Sequence, residues 1–595
     1  MFVGCVALAT SCDLTENVQV KADKSMIFGS KSGLELYSNS FYKALPTLKN
    51  GFMQDKMCDV GAVSNTDTFI KQGAYNTETA TSWSWGALKN VNYFIDGCND
   101  PKYCTVDDNT RDNYLGIARW FRAWFYYDKL TTYGEVPWFP HDIQSYQNDV
   151  MYKDRDSRDV IIRNLIADLD FAYEHIQATS STGSSTLTRW AAAALKSRVC
   201  LFEAAYRRYH NLTELEITPE ELYREAAKAA KLVIDNSGCS LNTATGKKGA
   251  YRDLFYNETP LTQEVILAVC ANEKSGIFGE QNWWFNARSY GLCWSLVRSF
   301  VHTYLKLDGT PFTDAADYAV KSFTEEMEGR DLRLEQTVRG RNFLWDGKTA
   351  VADIKNLSLT GYQVIKYTLD ESKYDGGAKN INSIPLIRYA EVLLNYAEAQ
   401  AELGVITDSE WALTVGALRK RAGITGGTET LPTTVDGYLQ RTFYPDVTSP
   451  VLLEIRRERA IELVAEGMRF DDLRRWKCGS LMETLPWSGI HIPGLEQPVD
   501  VNGDGVNDYY FTEGEVASAP AAYKNIAVRV NQDGVGLYAE ANPVSGYDLV
   551  YKTGAGDRYW YPDGRQYLYP IPAKVIRDYR NAGYTISQNP EWDNE

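Results

Sequence analysis

The chain has 595 residues, of which 44% are hydrophobic and 24% charged, a composition that excludes intrinsic disorder. Its 78 acidic side chains outnumber the 62 basic ones, and the net charge of −16 argues against a general affinity for nucleic acids and other polyanions. Aromatic residues are the outlier, with 39 Tyr, 21 Phe and 15 Trp. Because Tyr and Trp combine a flat apolar ring with a polar group, they suit cores, interfaces and sugar-binding surfaces alike.

The N-terminal stretch MFVGCVALATSC is apolar for nine residues and then turns small and polar up to Cys12. This pattern is typical of the end of a secretory signal peptide. Small residues before a cysteine also resemble a bacterial lipoprotein cleavage site, with Cys12 as the acylated residue, although Ala9 stands where such sites usually have Leu. The alternative is a short apolar strand with an incidental cysteine. No stretch of eighteen or more apolar residues follows, which excludes a transmembrane helix.

Further along the chain, five segments have apolar residues at the spacing of amphipathic helices. In order, they are DNYLGIARWFRAWFYYDKL, SRDVIIRNLIADLDFAYEHI, LTRWAAAALKSRVCLFEAAYRRY, TPEELYREAAKAAKLVIDN and IPLIRYAEVLLNYAEAQAELG. Thr218 and Pro219 predict the capped start of the fourth helix, and Gly404 predicts the end of the fifth. Small residues where helices would pair indicate tetratricopeptide-like hairpins. We therefore predict a mostly α fold, a scaffold of helical pairs with long irregular loops and little β structure.

Stretches rich in Gly and Pro interrupt the helical series around residues 237–382, 424–450 and 478–566. Connections of that length in a compact protein are usually functional. No linker divides the chain, so we predict a single domain over residues 13–595. The predicted scaffold covers about residues 35–236 and 383–480, the irregular regions cover 237–382 and 478–566, and a C-terminal segment covers 567–595.

Residues 455–476, IRRERAIELVAEGMRFDDLRRW, contain six arginines and five acidic residues. On a helix, Arg459 lies three residues from Glu462, and Arg474 and Arg475 lie three and four residues from Asp471. Such neighbours pair on a helix surface, each pair contributing about 0.2–0.5 kcal/mol, and guanidinium groups also clamp carboxylates where helices meet. We predict that these charges are neutralised within the fold and that nucleic acid is not a ligand.

This segment, extended to LLEIRRERAIELVAEGMRFDDLRRW, resembles the arginine-rich signature of the SusD/RagB family, the surface glycan-binding lipoproteins of Bacteroidetes. Six other stretches resemble the same family in the same order. They are GIARWFRAWFYYDKLTTYGEVPWF, LTRWAAAALKSRVCLFEAAY, YRDLF with EVILAV, LVRSFVHTYLKLDGTPF, IPLIRYAEVLLNYAEAQAELG and YLYPIPAKVIRDYRNAGYTISQNPEW. One such match is weak evidence, but seven in order are specific. These signatures define a scaffold, so they identify the family better than they locate a ligand.

The resemblance implies a single helical domain on about four tetratricopeptide-like units, tethered by lipid at Cys12 outside the outer membrane. It also implies a partner, a TonB-dependent (SusC-like) transporter, over which the protein captures an oligosaccharide and closes like a lid. The implied function is therefore binding without catalysis. Within the family, capture of peptides is the alternative ligand class.

Two loops combine aromatic planes with polar side chains, the mixture that neutral sugars require for their C–H faces and hydroxyl groups. In the family, ligand contacts come from loops in these general regions, and their sequences vary with the glycan. The predicted ligand-binding residues are Trp83, Trp85, Asn90, Gln281, Asn282, Trp283, Trp284, Arg288 and Tyr290. Trp85 also fits a helix packing inward, and Trp294 and Trp345 lie close to scaffold segments.

The loop DVNGDGVND, residues 500–508, matches the first half of an EF-hand calcium loop. Its predicted ligands are Asp500, Asn502, Asp504, Val506 and Asp508. The twelfth position is Phe511 instead of the usual Glu, which leaves two options: another carboxylate completes a structural calcium site, or the loop is a plain surface turn. No other cofactor is indicated. Cys98 and Cys104 flank a turn-rich loop and could pair in an oxidising compartment.

Enzyme motifs are missing from the sequence: it has no G-x-S-x-G, H-E-x-x-H, Walker A or G-x-G-x-x-G pattern after a strand. Five histidines are present, and none is spaced from another as metal ligands are. A carboxylate pair acting as in glycosidases is invisible in a sequence, so a glycoside hydrolase remains an alternative of another class. A pure interaction scaffold that uses helix-pair grooves is a third.

Overall fold

A computed structural model describes residues 24–49, 53–144, 146–286, 292–552 and 557–593. Its α-helices are α1 Lys24–Phe28, α2 Lys31–Ser38, α3 Gly86–Cys98, α4 Asp108–Tyr133, α5 Asn148–Met151, α6 Arg158–His175, α7 Arg189–Tyr209, α8 Pro219–Asn236, α9 Asp253–Tyr256, α10 Gln281–Asn286, α11 Arg298–Val301, α12 Phe323–Met327, α13 Arg333–Thr337, α14 Tyr389–Glu402, α15 Asp408–Leu413, α16 Val415–Arg421, α17 Gly437–Phe443, α18 Pro450–Glu462, α19 Arg469–Arg475, α20 Leu481–Thr484 and α21 Ala573–Asn581. The strands are β1 Gly61–Ala62, β2 Val265–Val269, β3 Ser295–Leu296, β4 Leu344–Trp345, β5 Lys348–Thr349, β6 Ile384–Arg388, β7 Ser488–Ile492, β8 Pro498–Val499, β9 Tyr509–Thr512, β10 Ala527–Arg529, β11 Leu537–Ala541 and β12 Tyr547–Tyr551.

The long helices pack in a chain of pairs, which confirms the predicted mostly α fold. Helix α3 packs on α4, α4 on α6, α6 on α7, α7 on α8, α8 on α14, and α14 on α18. The contact between α7 and α8 is rich in Ala side chains that are almost fully buried, which lets the two backbones approach closely. Within the described ranges, each helix is too short or too polar to cross a lipid bilayer.

The predicted ends of two helices are also confirmed. The Thr218 hydroxyl accepts a hydrogen bond from the Glu221 amide, the Glu221 carboxylate accepts one from the Thr218 amide, and Pro219 occupies the first helical position of α8. This reciprocal arrangement satisfies two amides that the helix itself leaves unpaired. After α14, Gly404 adopts a φ of 71°, a left-handed conformation that glycine accepts without a steric penalty.

The β structure is limited to short strands in small sheets. Strands β2 and β6 pair antiparallel, β11, β12 and β7 form one three-stranded sheet, and β10, β9 and β8 form another. Most of these strands lie between α8 and α14 or beyond α19, outside the long helices. They hold the connecting segments against the helical layers, and this places the loop residues discussed below.

The arginine-rich segment 455–476 is buried, and its charges are neutralised inside the protein as predicted. Its ion pairs join Arg457 to Asp436, Arg459 to Asp472, Arg469 to Asp59, Arg474 to Asp471 and Arg475 to Glu398. The predicted partner of Arg459 was wrong: Arg459 binds Asp472 at 2.8 Å instead of Glu462 on its own helix. Most of these pairs join separate elements and not helical neighbours, because a buried guanidinium needs carboxylates that face it across a packed contact.

Glu462 lies at the centre of a second buried set of ion pairs. Its carboxylate accepts hydrogen bonds from Arg333 (2.8 Å), Arg388 (2.6 Å) and Arg421. These guanidinium groups hold the pKa of Glu462 well below its usual range, even though burial alone would raise it. The network therefore keeps its charges in a dry interior by pairing every carboxylate with guanidinium groups.

Candidate functional site

The described residues form a cleft of about 770 Å³, which we call the main cleft. One wall is the C-terminal half of α4, and the others include residues 44–46, 56–57, 82, 87, 385–386 and 466–474. Its aromatic lining comprises Trp124, Phe125, Tyr127, Tyr133, Tyr367, Phe470 and Tyr569. Its charged lining comprises Lys56, Asp128, Lys129, Arg198, Glu466, Asp471 and Arg474.

Helix α4 contributes the largest share of this lining, eight residues, because both of its faces are used. Its N-terminus is capped by Asp107, whose carboxylate accepts from the Thr110 amide, and the helix ends at Gly134 with a φ of 74°. Trp120 and Tyr126 are fully buried against the helical layers. Trp124, Phe125, Asp128 and Thr132 follow each other at the three- and four-residue spacing of one helix face and line the cleft.

Trp83 and Trp85 lie beside this cleft, where each packs on one of its lining residues. The Trp83 ring contacts Tyr133 edge to face at 4.9 Å, and the Trp85 ring packs on Phe125 at 5.6 Å. The Lys129 ammonium donates to the Ser82 carbonyl at 3.4 Å, which holds their loop against α4. Both indole rings are half-buried, so each has surface left for a ligand. The ligand-binding role of these two residues stays a prediction.

Asp128 is the most accessible carboxylate of the main cleft. Its side chain is 67% exposed, and its ion-pair partner, the Lys129 ammonium, is 3.6 Å away. The surrounding walls nevertheless raise the pKa of Asp128, with a further rise from the nearby Asp471 carboxylate. Burial in turn lowers the pKa of Lys129. The cleft thus presents an acceptor that a hydroxyl group of a ligand can reach.

Other charged groups on the cleft lining are held by partners within the protein. Arg198 forms a bidentate pair with Glu391, both bonds at 2.6 Å. Arg474 donates to the Thr131 carbonyl at 2.6 Å and to Asp471 at 2.5 Å. These bonds fix the lining groups in place before any ligand arrives, which lowers the entropy lost on binding.

The second predicted loop forms the short helix α10, which turns two of its predicted ligand residues inward. Gln281 and Asn282 are fully buried, and their ligand-binding role stays a prediction. The Asn282 amide donates to the Leu369 carbonyl at 2.8 Å, and Gln281 donates to the Asn382 carbonyl at 3.0 Å. On a helix, residues 281, 282, 285 and 286 share one face, and here that face packs inward.

Trp283 and Trp284 occupy the other face of α10 and are half-buried. Trp283 packs close to Gly377, where an added Cβ would lie 3.2 Å from its ring. Trp284 lines a void of about 20 Å³ together with Asp55 and Lys56, and Lys56 also lines the main cleft. Trp284 is therefore next to the cleft, and Trp283 faces a different part of the surface. Their binding role stays a prediction.

The remaining predicted ligand residues are accounted for as follows. The Asn90 carbonyl accepts from the Tyr37 hydroxyl at 2.6 Å, and its amide donates to the Ser40 hydroxyl at 3.3 Å. These bonds join α3 to α2 and the segment that follows, and the ligand-binding role of Asn90 stays a prediction. Arg288 and Tyr290 lie outside the described residues.

The predicted calcium loop forms a tight turn between β8 and β9. The Asp500 carboxylate accepts from the Gly503 and Gly505 amides, both at 2.7 Å, and Asp508 accepts from the Val501 amide at 2.8 Å. Among the described residues, no group of three or more His, Cys, Asp or Glu side chains is arranged to hold a metal ion. Calcium binding with Asn502, Asp504 and the Val506 carbonyl stays a prediction.

Cys98 and Cys104 are both free thiols. Burial raises the pKa of the Cys98 thiol, and the neighbouring Cys104 raises it further. Their pairing in an oxidising compartment stays a prediction.

Sequence reasoning missed the residues of α4 that line the main cleft, above all Phe125, Asp128 and Tyr133. They belong to a helix that the sequence pattern predicts as part of the scaffold, without separate roles for its two faces. A signal was present: large apolar or aromatic residues occur on both faces of this helix, which is more than one buried face needs. Such a pattern indicates a helix packed on one side and lining a cavity or a second contact on the other.

Comparison with known proteins decides the family. A model of the SusD family matches residues 263–592, more than half of the chain. The chain belongs to the SusD family. The resemblance found in the sequence is thereby confirmed, and the SusD-like fold accounts for the tetratricopeptide-like pairs of helices.

Individual relatives of this SusD family member are distant. The SusD-like protein P38 of Formosa agariphila is 25% identical over 378 residues, 61% of this chain and 66% of that protein. A SusD-like carbohydrate binding protein from Bacteroides fragilis is 19% identical, with a TM-score of 0.66 over 93% of this chain and 99% of its own. A SusD homolog from Bacteroides thetaiotaomicron is 16% identical, with a TM-score of 0.60 over 96% and 99%. At these identities the solved structures establish the fold.

Family membership also settles the class of protein. SusD-like proteins are non-catalytic binding proteins, so this chain is not an enzyme. The glycoside hydrolase alternative is therefore set aside. The carboxylates of the main cleft are consequently interpreted as hydrogen-bond acceptors for a ligand.

Proposed function

We propose that the chain binds oligosaccharides in the main cleft, at the surface of the outer membrane, and delivers them to a TonB-dependent transporter. The observation that carries the binding step is the composition of the cleft: half-buried aromatic rings stand beside the accessible Asp128 carboxylate in a space of about 770 Å³. That volume lies within the range of about 300–1,000 Å³ that is typical of small-molecule sites.

The lining of the cleft and the indole ring beside it match separate parts of a sugar. Phe125 on the lining and Trp83 next to it offer apolar ring surface for the C–H faces of a pyranose, and Asp128 offers an acceptor for its hydroxyl groups. The fold relative from Bacteroides fragilis is named a carbohydrate binding protein, which supports the same ligand class. Delivery to a transporter and attachment through Cys12 rest on the family to which the chain belongs.

The first prediction concerns this cleft and uses the chain from Asp13 onward. A glycan array identifies a ligand, and isothermal titration calorimetry then compares wild type with Trp83→Ala and Asp128→Asn. We expect each variant to bind at least tenfold more weakly, a loss of about 1.4 kcal/mol, because each removes one contact surface without touching the scaffold.

Tyr146→Ala is the matched control, since Tyr146 is an aromatic residue that is 81% exposed and does not line the cleft. Its affinity should equal that of wild type. Unchanged affinity in both cleft variants would contradict the assignment of the cleft. A peptide pool titrated in parallel separates the ligand classes: binding of peptides with no response to any glycan would overturn the carbohydrate proposal.

A further inference from the structure

A second pocket, of about 400 Å³, lies between α9, α13 and the hairpin of β4 and β5. Its lining comes from residues 248–256, 332–343 and 365–370. Among the described residues, none lines both this second pocket and the main cleft. The two cavities are therefore separate, and a ligand in one makes no contact with the lining of the other.

The base of the second pocket is rigid. Arg252 forms a bidentate pair with Asp370, at 2.9 and 2.5 Å, and donates to the Ile365 and Thr368 carbonyls at 3.1 and 2.8 Å. Gln336 accepts from the Tyr251 and Arg252 amides, each at 3.1 Å. The side-chain groups of Arg252, Asp370 and Gln336 are therefore hydrogen-bonded within the protein, and the shape of the pocket base is fixed without a ligand.

Three polar side chains of the lining have no hydrogen-bond or ion-pair partner in the part of the protein that the structure describes. Within the described ranges, the Glu335 carboxylate, the Lys248 ammonium and the Asn342 amide take part in no hydrogen bond or ion pair. Glu335 is half-buried, while Lys248 and Asn342 are exposed at the mouth. A half-buried carboxylate without a partner in the protein is free to accept hydrogen bonds from a ligand that donates them.

Aromatic surface borders these polar groups. The half-buried Tyr256 ring and Phe343 line the pocket. Beyond Phe343, Trp345 is half-buried and Leu344 is 52% exposed. The Arg339 guanidinium lies 5.1 Å from the ring centres of both Phe343 and Trp345, which holds the two rings beside each other. Apolar ring surface thus continues from the pocket onto the hairpin.

The hairpin is tied to the pocket by its own backbone. The Asp346 amide donates to the Asp370 carbonyl at 3.0 Å, and the Asp346 carboxylate accepts from the Ser372 amide at 2.9 Å. Asp370 is the residue that also pairs with Arg252 at the base. The aromatic hairpin, the pocket wall and the pocket base therefore form one fixed unit.

We propose that the second pocket is an additional carbohydrate site, which binds one or two neutral sugar residues independently of the main cleft. This inference rests on the proposed carbohydrate-binding function. The free charges of Glu335 and Lys248 are opposite, so a ligand with a net charge would be attracted by one and repelled by the other. A neutral ring with hydroxyl groups donates to the carboxylate and accepts from the ammonium, while its C–H face packs on Tyr256. A volume of about 400 Å³ accommodates a ligand of this size.

Saturation-transfer NMR tests this proposal, because it detects weak binding of small sugars to a large protein. The probes are D-glucose, D-galactose, D-mannose, D-xylose, L-fucose and N-acetyl-D-glucosamine at millimolar concentration, with glycylglycine as a peptide probe. The pocket variant is Tyr256→Ala/Glu335→Ala, and the cleft variant is Trp83→Ala/Asp128→Asn. Glu328→Ala is the matched control, since Glu328 is an exposed glutamate outside both cavities. Circular dichroism verifies that each variant is folded.

We expect at least one sugar to give a signal that survives in the cleft variant and falls at least tenfold in the pocket variant. A sugar signal that the pocket variant retains and the cleft variant loses would overturn the second site and leave the proposed function intact. If the sugar signal is instead lost in the pocket variant and retained in the cleft variant, and no array glycan depends on the cleft residues, the assignment of the main cleft is overturned and the second pocket is kept. No signal from any sugar with the wild type, or a signal from glycylglycine alone, would overturn the second site.

Discussion

His210 shows how a single half-buried side chain makes this protein sensitive to acid. Its ring stacks on Tyr206 at 4.0 Å, and its Nε2 is 2.8 Å from the Arg474 carbonyl, so the neutral ring donates a hydrogen bond there. Burial, together with a smaller contribution from the nearby cations Lys477 and Arg158, lowers the pKa of His210 to about 4. The folded protein therefore keeps this ring neutral where an exposed histidine would carry a proton.

The second prediction follows from this pKa. The unfolded chain, with an ordinary histidine pKa near 6.5, binds the proton first as the pH falls. The free energy of unfolding is therefore unaffected by His210 above about pH 6.5 and falls between there and about pH 4. Between pH 7 and pH 5, this residue should remove about 2 kcal/mol, a loss that His210→Gln lacks. Urea unfolding at both pH values measures it.

His141→Gln is the control for this experiment. His141 is 76% exposed and binds Asp96 at the surface, so its replacement should leave the pH dependence of the wild type in place. An equal loss of stability in wild type and His210→Gln would contradict the burial argument.

At the scale of elements, the ends of a helix could be predicted where neighbouring residues in the sequence define them. The buried face of a helix could not be predicted where distant residues decide it. Thr218 and Pro219 specify the start of α8 through capping, which needs no distant partner. Helix α10 shows the opposite case: polar Gln281 and Asn282 are buried because carbonyls of the 369–382 segment face them. No sequence pattern announces those distant acceptors, so polarity alone wrongly indicated exposure.

The third prediction concerns the 500–508 loop. If calcium occupies it, millimolar Ca²⁺ should raise the Tm by about 1–3 °C over EDTA, because only the folded loop brings these oxygens together. Asp504→Asn/Asp508→Asn keeps acceptor oxygens but removes two charges and should abolish the rise. Differential scanning fluorimetry measures it, with Mg²⁺ as the control for ionic strength. A Tm that is identical in Ca²⁺ and EDTA would show the loop to be a plain turn.

At the scale of the whole molecule, the main cleft could not be predicted from the sequence. Its lining combines residues 44–46, 56–57, 82, 87, 124–133, 385–386, 466–474 and Tyr569, which are far apart in the chain. Each segment carries an unremarkable local pattern, and the cleft exists only after the helical pairs have packed. The family was predictable for the opposite reason, since its signatures follow the chain order of the scaffold.

The fourth prediction concerns attachment of the molecule to the membrane through Cys12. In a bacterial host that processes lipoproteins, full-length wild type should enter the outer-membrane fraction, and Cys12→Ser should leave it, because the thiol is the acylation site. Cys5→Ser is the matched control, seven residues earlier in the same apolar stretch. Immunoblots of separated membranes provide the measurement, and equal membrane retention of both variants would contradict lipidation at Cys12.

The ion pairs around Glu462 make the second helical block, residues 383–480, dependent on the irregular region that precedes it. Arg333 belongs to the stretch between the helical blocks. Arg388 directly precedes α14, and Arg421 is the last residue of α16. Removing one of these arginines would leave a buried carboxylate incompletely paired, at a cost of several kcal/mol. The second helical block is therefore not a portable module, because its buried charges depend on Arg333 outside it. Substitutions intended to change the ligand are best placed in surface loops, where they leave these buried charges undisturbed.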